Sequence, residues 1–283
     1  MNCLTADERI TLVAALVAGG NIRFISKTTG IARNTVAKLL VDVGTACMQY
    51  HDKHVRNIRV RRLHCHEVQS YVGARAKNVT HEKKEICWGD LRTWTGIDAD
   101  TKLVVSYLVG GYGADWAMDF IKDTASRING RVQLKTDGCN AYLDVAEDGV
   151  STEVDYGQLH KIYGASLETE TRYLSATSIG CDMRTISGDP DSEPASTSYV
   201  EGQNLTMKTQ TRRFRRLTNA FSKRIENHAY AVAFHFMYFN FVRIHQTLRA
   251  TPAMVSGLSN QPWDLNKLVE LTFKPSHHRN SPE

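Results

Sequence analysis

Arg59-Val60-Arg61-Arg62-Leu63-His64-Cys65-His66-Glu67-Val68-Gln69-Ser70-Tyr71-Val72-Gly73 is the stretch on which the fold turns. Its β-branched and aromatic content predicts a strand ending at Gly73. A polar loop, residues 75–90, leads to two more strands, Arg92 to Asp98 and Leu103 to Val109, joined tightly through Ala99-Asp100-Thr101-Lys102. Met118, Phe120, Ile121 and Ala125 recur at helical spacing and predict a helix from Ala117 to Ile128. Arg131 to Thr136 reads as a fourth strand, ending at Asp137-Gly138. A short helix over Ala141 to Ala146 and a fifth strand before Tyr156 follow. Three antiparallel strands, a helix and a parallel strand ending in an acid predict a mixed α/β sheet with helices on its faces. Residues 157–198 read as irregular, with Gly188-Asp189-Pro190-Asp191-Ser192-Glu193-Pro194 as a loop signature. Leu217 to Ile244 reads as one long amphipathic helix whose aromatic stripe belongs to the core.

Upstream, residues 5–50 predict a small helical unit. Thr5 with Glu8 three residues later is a capping-box pattern, and Ile10, Val13, Ala14, Leu16 and Val17 follow at helical spacing. Gly19-Gly20-Asn21 stops that helix. A short helix over Ile22 to Lys27, a turn at Thr29-Gly30 and a second helix over Asn34 to Leu40 form a helix-turn-helix pattern. The first residues of the second helix of such a unit face base edges, so Arg33, Asn34, Thr35 and Lys38 are the candidate readers of double-stranded DNA. Any small three-helix bundle would bury its leucines in the same way.

Composition narrows the class without deciding it. At 283 residues the chain can bury a sizeable core. A net charge of +5 is only mildly basic, yet Lys208 to Arg224 contains no acidic residue. Six scattered cysteines with no C-x-x-C pair argue against a zinc ribbon and against a disulfide framework. No run of about 18 apolar residues predicts a membrane span, and no signal peptide is read at the acidic N-terminus. The expectation is a soluble cytoplasmic protein, nucleoid-associated if prokaryotic.

The stretch Ser198-Tyr199-Val200-Glu201-Gly202-Gln203-Asn204-Leu205 runs into Met207-Lys208-Thr209-Gln210-Thr211-Arg212-Arg213-Phe214-Arg215-Arg216. At helical spacing Glu201, Asn204 and Lys208 share a face, with Arg212 one turn beyond. A carboxylate beside cations suits a metal that must meet a polyanion, and Arg213, Arg215 and Arg216 extend the basic run.

The chain resembles DDE transposases of the insertion-sequence-one family. The match is carried by Ser70-Tyr71-Val72-Gly73, Trp94-Thr95-Gly96-Ile97-Asp98-Ala99-Asp100-Thr101-Lys102-Leu103, Leu134-Lys135-Thr136-Asp137-Gly138 and Ser198-Tyr199-Val200-Glu201. Tyr238-Phe239-Asn240-Phe241 with His245, Leu248 and Thr251-Pro252 also resembles the helix end of integrase-like transposases. The resemblance implies a helix-turn-helix DNA-binding domain over residues 1–55, a ribonuclease-H-like domain over 56–250 and a C-terminal tail over 251–283. It also implies DNA transposition, with cleavage and strand transfer at terminal inverted repeats into target DNA by a homodimer or higher oligomer. Asp137 and Glu201 match the second and third acids that would hold magnesium or manganese, and two such ions suit in-line attack on phosphorus.

The first acid departs from the family. Its position reads Cys65-His66-Glu67, so His66 stands where aspartate is expected. Imidazole prefers zinc, copper, nickel or iron over magnesium. Glu67 is adjacent, but strand alternation points it to the opposite face, which makes Asp98 the candidate substitute. Gly202 replaces the family's usual arginine after the glutamate. A zinc reading of His64-Cys65-His66 places at most His64 and His66 on one face, with no further ligand pair visible. Three readings stay open: a transposase, a transposase-derived DNA-binding protein without catalysis, and an inactive remnant that folds and does nothing.

Overall fold

The N-terminal helices form where their caps direct. Helix α1 (Ala6–Val17) starts at the expected capping box: Thr5 Oγ1 accepts from Glu8 N at 3.2 Å, and Thr5 N donates to the Glu8 carboxylate at 2.8 Å. Helix α2 (Ile22–Thr29) is capped by Asn21, whose Oδ1 accepts from Phe24 N at 2.7 Å. It ends at Gly30, whose φ of 73° is the left-handed conformation glycine adopts without strain. Helix α3 (Arg33–His54) then runs for 22 residues, well past the Leu40 end expected from sequence. Val36, Leu39, Leu40, Val43 and Cys47 keep one face apolar along that length.

The computed structural model describes residues 4–81, 88–137, 142, 154–163, 178–190 and 224–273. After α3 come β1 (Ile58–Arg59), β2 (Arg62–Val72), β3 (Gly89–Asp98), β4 (Val104–Gly110) and α4 (Ala114–Arg127). Then follow β5 (Ile128–Asn129), β6 (Val132–Asp137), β7 (Val154–Tyr163) and β8 (Ser178–Ser187). Helix α5 (Ile225–Met237) passes into a π-helical turn over Tyr238–Val242, and the short helices α6 (Pro252–Val255) and α7 (Leu265–Glu270) complete the described chain. The expected short helix over 141–146 lies, apart from Tyr142, outside the described residues, as do residues 217–223 of the expected long helix.

Six strands form one mixed sheet in the order β4-β3-β2-β6-β7-β8. β2 pairs antiparallel with β3, β3 with β4, and β7 with β8, whereas β2–β6 and β6–β7 are parallel. A separate two-stranded parallel pair joins β1 and β5. The expectation that residues 157–198 are irregular is corrected here: β7 continues to Tyr163, and β8 pairs back along it. Gly157 obscured this, because glycine inside an apparent strand reads as a break. Its role is close approach, since a Cβ there would sit 3.1 Å from Met183 Sδ on the neighbouring strand.

Alternation along β2 divides its side chains between two layers. Cys65 faces α4, where a Cβ added to Gly96 would lie 3.5 Å from Phe120 and 3.6 Å from Cys65 Sγ. On the other face Val68, Ile97 and Val104 pack against Val232, Phe236 and Phe239 of α5 and its π turn. Ser70 Oγ lies 3.1 Å from His228 Nε2 on that side. Helix α3 covers α5 in turn: a Cβ on Gly44 would fall 2.5 Å from Tyr230 Cβ, so glycine sets the distance between the two helices. One apolar cluster runs from Leu12 of α1 through the sheet to Val269 of α7. No described helix is long and apolar enough to cross a membrane.

Candidate active site

His66 lies mid-way along β2 and is 2% exposed. Across β3 its rung partner is Thr95. On the other side Cys65 pairs with Thr136 of β6, so the next rung brings His66 level with Asp137 at the end of that parallel strand. Partners on one rung share a face. Continued by one residue, that register would set His66 beside Asp137 on the α5 face of the sheet. The nearness of Asp137 to β2 also registers at Cys65, whose thiol pKa is pushed up first by burial and then by the Asp137 charge.

Two residues back from His66, His64 pairs with Lys135. Burial, with the charges of Lys135, Lys102 and Arg62, lowers the His64 pKa to about 4, so its imidazole is neutral at pH 7. Glu67 belongs to the opposite face, as strand alternation required, and lies 3.9 Å from Arg92.

Asp98 is not beside His66. It pairs with Leu63, three rungs away, and Leu63 belongs to the face opposite His66. Three residues of strand span about 10 Å. The Asp98 carboxylate is 1% exposed and committed to its own turn, accepting from Thr101 Oγ1 at 2.6 Å and from Asp100 N at 3.1 Å. Desolvation raises its pKa against those hydrogen bonds. Its place on the sheet corrects the expectation that it could stand in for the first acid.

Sequence reasoning missed Thr95. It shares the His66 rung, is fully buried, and its Oγ1 finds no hydrogen-bond partner among the described residues. A threonine inside a strand carries no local signal of this kind; only the register reveals it.

The candidate readers Arg33, Asn34, Thr35 and Lys38 open α3. Arg33, Asn34 and Lys38 are exposed, whereas Thr35 is half-buried and donates its N–H to Ala32 O at 2.9 Å. Val36 and Leu39 anchor the same turn in the core. Glu201, Asn204, Lys208, Arg212, Arg213, Arg215 and Arg216 lie outside the described residues.

Among the described residues no group of three or more His, Cys, Asp or Glu side chains is arranged to hold a metal ion. The described donors at the rung, one carboxylate and one imidazole, do not fit a pair of magnesium ions, which require several oxygen ligands and the charge of more than one carboxylate. No family model matches the chain, and no curated protein matches it.

Proposed function

We propose that this chain is a transposase of the DDE type, acting in DNA transposition on double-stranded DNA at terminal inverted repeats. The observation that carries this reading is the parallel pairing of β2 with β6, whose last pair, Cys65 with Thr136, is followed by His66 on one strand and Asp137 on the other. A ribonuclease-H-like site draws its first two ligands from two such neighbouring parallel strands. The strand order β4-β3-β2-β6-β7, with a helix between β4 and β6, supports a ribonuclease-H-like sheet. The α2–turn–α3 arrangement, with Arg33, Asn34 and Lys38 exposed at the start of α3, supports a helix-turn-helix reader.

A second reading rests on the same pairing. His66 stands where the resemblance expects the first acid, and Asp98 lies on the other face of the sheet. This favours a transposase-derived protein that binds DNA and does not cut it. We derive no catalytic step through a metal at a donor set that does not fit one.

The deciding experiment compares the protein with His66→Asp on duplexes carrying the sequences that flank its coding region, in magnesium and then manganese. Nicking by the variant alone supports the fold and the remaining ligands and assigns the loss of chemistry to His66. Nicking by both makes this chain an active transposase as it stands. Binding without nicking by either favours the second reading, and neither binding nor nicking overturns both.

A further inference from the structure

Residues 9–41 carry Arg9, Arg23, Lys27, Arg33 and Lys38, and no carboxylate before Asp42. Glu8, just ahead of that stretch, is engaged at the Thr5 cap. Arg9 lies over the ring of Phe273, 5.4 Å from its centroid. The other four cations are exposed, Arg23 and Lys27 on α2, Arg33 and Lys38 at the start of α3.

Phe24 stands among them. On α2, Ile25 is buried, with Ile22, Ser26 and Thr29 half-buried beside it. Helical spacing leaves Arg23, Phe24, Lys27 and Thr28 on one outward face. Phe24 is 61% exposed, more than any other large apolar side chain among the described residues. Tyr112 and Phe273, the next most exposed, lie beneath the guanidinium groups of Arg92 and Arg9. Among the described residues no ring or cation covers Phe24 in that way. Its backbone is held at both groups: Asn21 Oδ1 accepts from Phe24 N at 2.7 Å, and Thr28 Oγ1 donates to Phe24 O at 3.0 Å.

A large ring turned to solvent, on a face that bears cations and no carboxylate, fits a partner that is anionic and also carries apolar surface. Duplex DNA offers both, in its phosphates and its deoxyribose rings. A lipid surface fits less well, because an interfacial helix needs a broad apolar face and that of α2 is turned into the core. A protein interface also fits less well, since interface centres are depleted of charge.

We propose that Phe24 packs against the sugar–phosphate backbone of duplex DNA, with Arg23 and Lys27 on the flanking phosphates. This rests on the helix-turn-helix reading above and extends it from α3 to α2, the helix that crosses the backbone in such units. The contact contributes affinity without sequence preference, because sugars and phosphates are alike in every duplex.

The test is titration of the full chain with a random-sequence duplex over a series of salt concentrations. Phe24→Ala should weaken binding roughly fivefold to tenfold at every salt concentration, because an apolar contact releases no counterions. Lys27→Gln should instead reduce the steepness of log K against log salt by about 0.9. Phe24→Leu keeps an apolar side chain and should retain most of the affinity. Thermal unfolding checks the fold: Phe24 lies outside the core, so both of its variants should melt with the wild type. An unchanged affinity for Phe24→Ala, with Arg33→Ala weakened, overturns this contact and leaves the α3 reading in place. No duplex binding by any form overturns both. Binding to phosphatidylglycerol vesicles that Phe24→Ala abolishes, without duplex binding, assigns the face to a membrane and overturns the proposal.

Discussion

The side chain of Asn240 pairs with both backbone groups of Val104, Oδ1 accepting from Val104 N and Nδ2 donating to Val104 O, each at 2.9 Å. A residue of the π turn thus extends the hydrogen bonding of β4, the strand at one edge of the six-stranded sheet. Asn240 is fully buried, so these bonds are made away from solvent. Asn240→Ala is expected to destabilise the fold by about 2–4 kcal/mol, since buried groups left without partners cost about 1–3 kcal/mol each and His51 Nε2, 3.2 Å from Val104 O, compensates in part. Urea unfolding measures the loss, and a change below about 0.5 kcal/mol, the scale of an ordinary surface substitution, would count against the pairing.

The contact between α3 and α5 predicts an intolerant glycine. A Cβ on Gly44 would fall 2.7 Å from Tyr230 O and 2.8 Å from Tyr230 Cα, and backbone cannot yield as a flexible side chain can. Gly44→Ala should therefore destabilise by about 1–3 kcal/mol through overpacking, despite alanine's higher helix propensity. A stabilised variant would mean that the helices are farther apart.

Two buried histidines predict acid sensitivity. Desolvation, with Arg127 beside His51 and Arg243 beside His235, lowers both pKa values to about 4 from an ordinary 6.5. The unfolded chain therefore binds protons that the folded chain refuses. The stability tied to these residues is full above pH 6.5 and falls as pH drops from 6.5 toward 4. Each such group contributes about 1.4 kcal/mol per pH unit within that window, so these two together with His64, lowered to the same degree, give about 4. His51→Gln keeps a donor for Val104 O and should lower the slope by about a third, measured as urea midpoints between pH 7 and pH 4.5.

At the candidate site, His66→Asp sets two carboxylates side by side on one face. Like charges so placed repel, so the variant should melt below the wild type in a chelator. Manganese should restore it, while the wild type stays insensitive to the metal. Calorimetry with and without manganese reads both effects. A variant indifferent to manganese would remove position 66 from any metal site.

Much of this fold was legible in local pattern. The first three strands of the large sheet, the helix after them and β6 lie within a few residues of where alternation and helical spacing place them, because each combines an apolar face with turn residues at its ends. Residues of β7 and β8 escaped because glycine and polar side chains interrupt the alternation, and only cross-strand contact, as between Gly157 and Met183, explains them. The length of α3 was hidden by Gly44, which reads as a weak point in a helix until Tyr230 is seen against it. Asp98 shows the limit most sharply. Its carboxylate and its place on a strand were readable, but the face it shares with Leu63 depends on register, which no local pattern supplies.

Helix α3 has a mechanical consequence. Its 22 residues span about 33 Å without interruption. One end exposes Arg33 and Asn34, and near the other His51 touches the first residue of β4. A rod of that length, clamped along its flank by Tyr230, cannot swivel at one end while the other stays still. Any torque applied at the exposed end of α3 is passed to the sheet as well, so helix and sheet turn as one body.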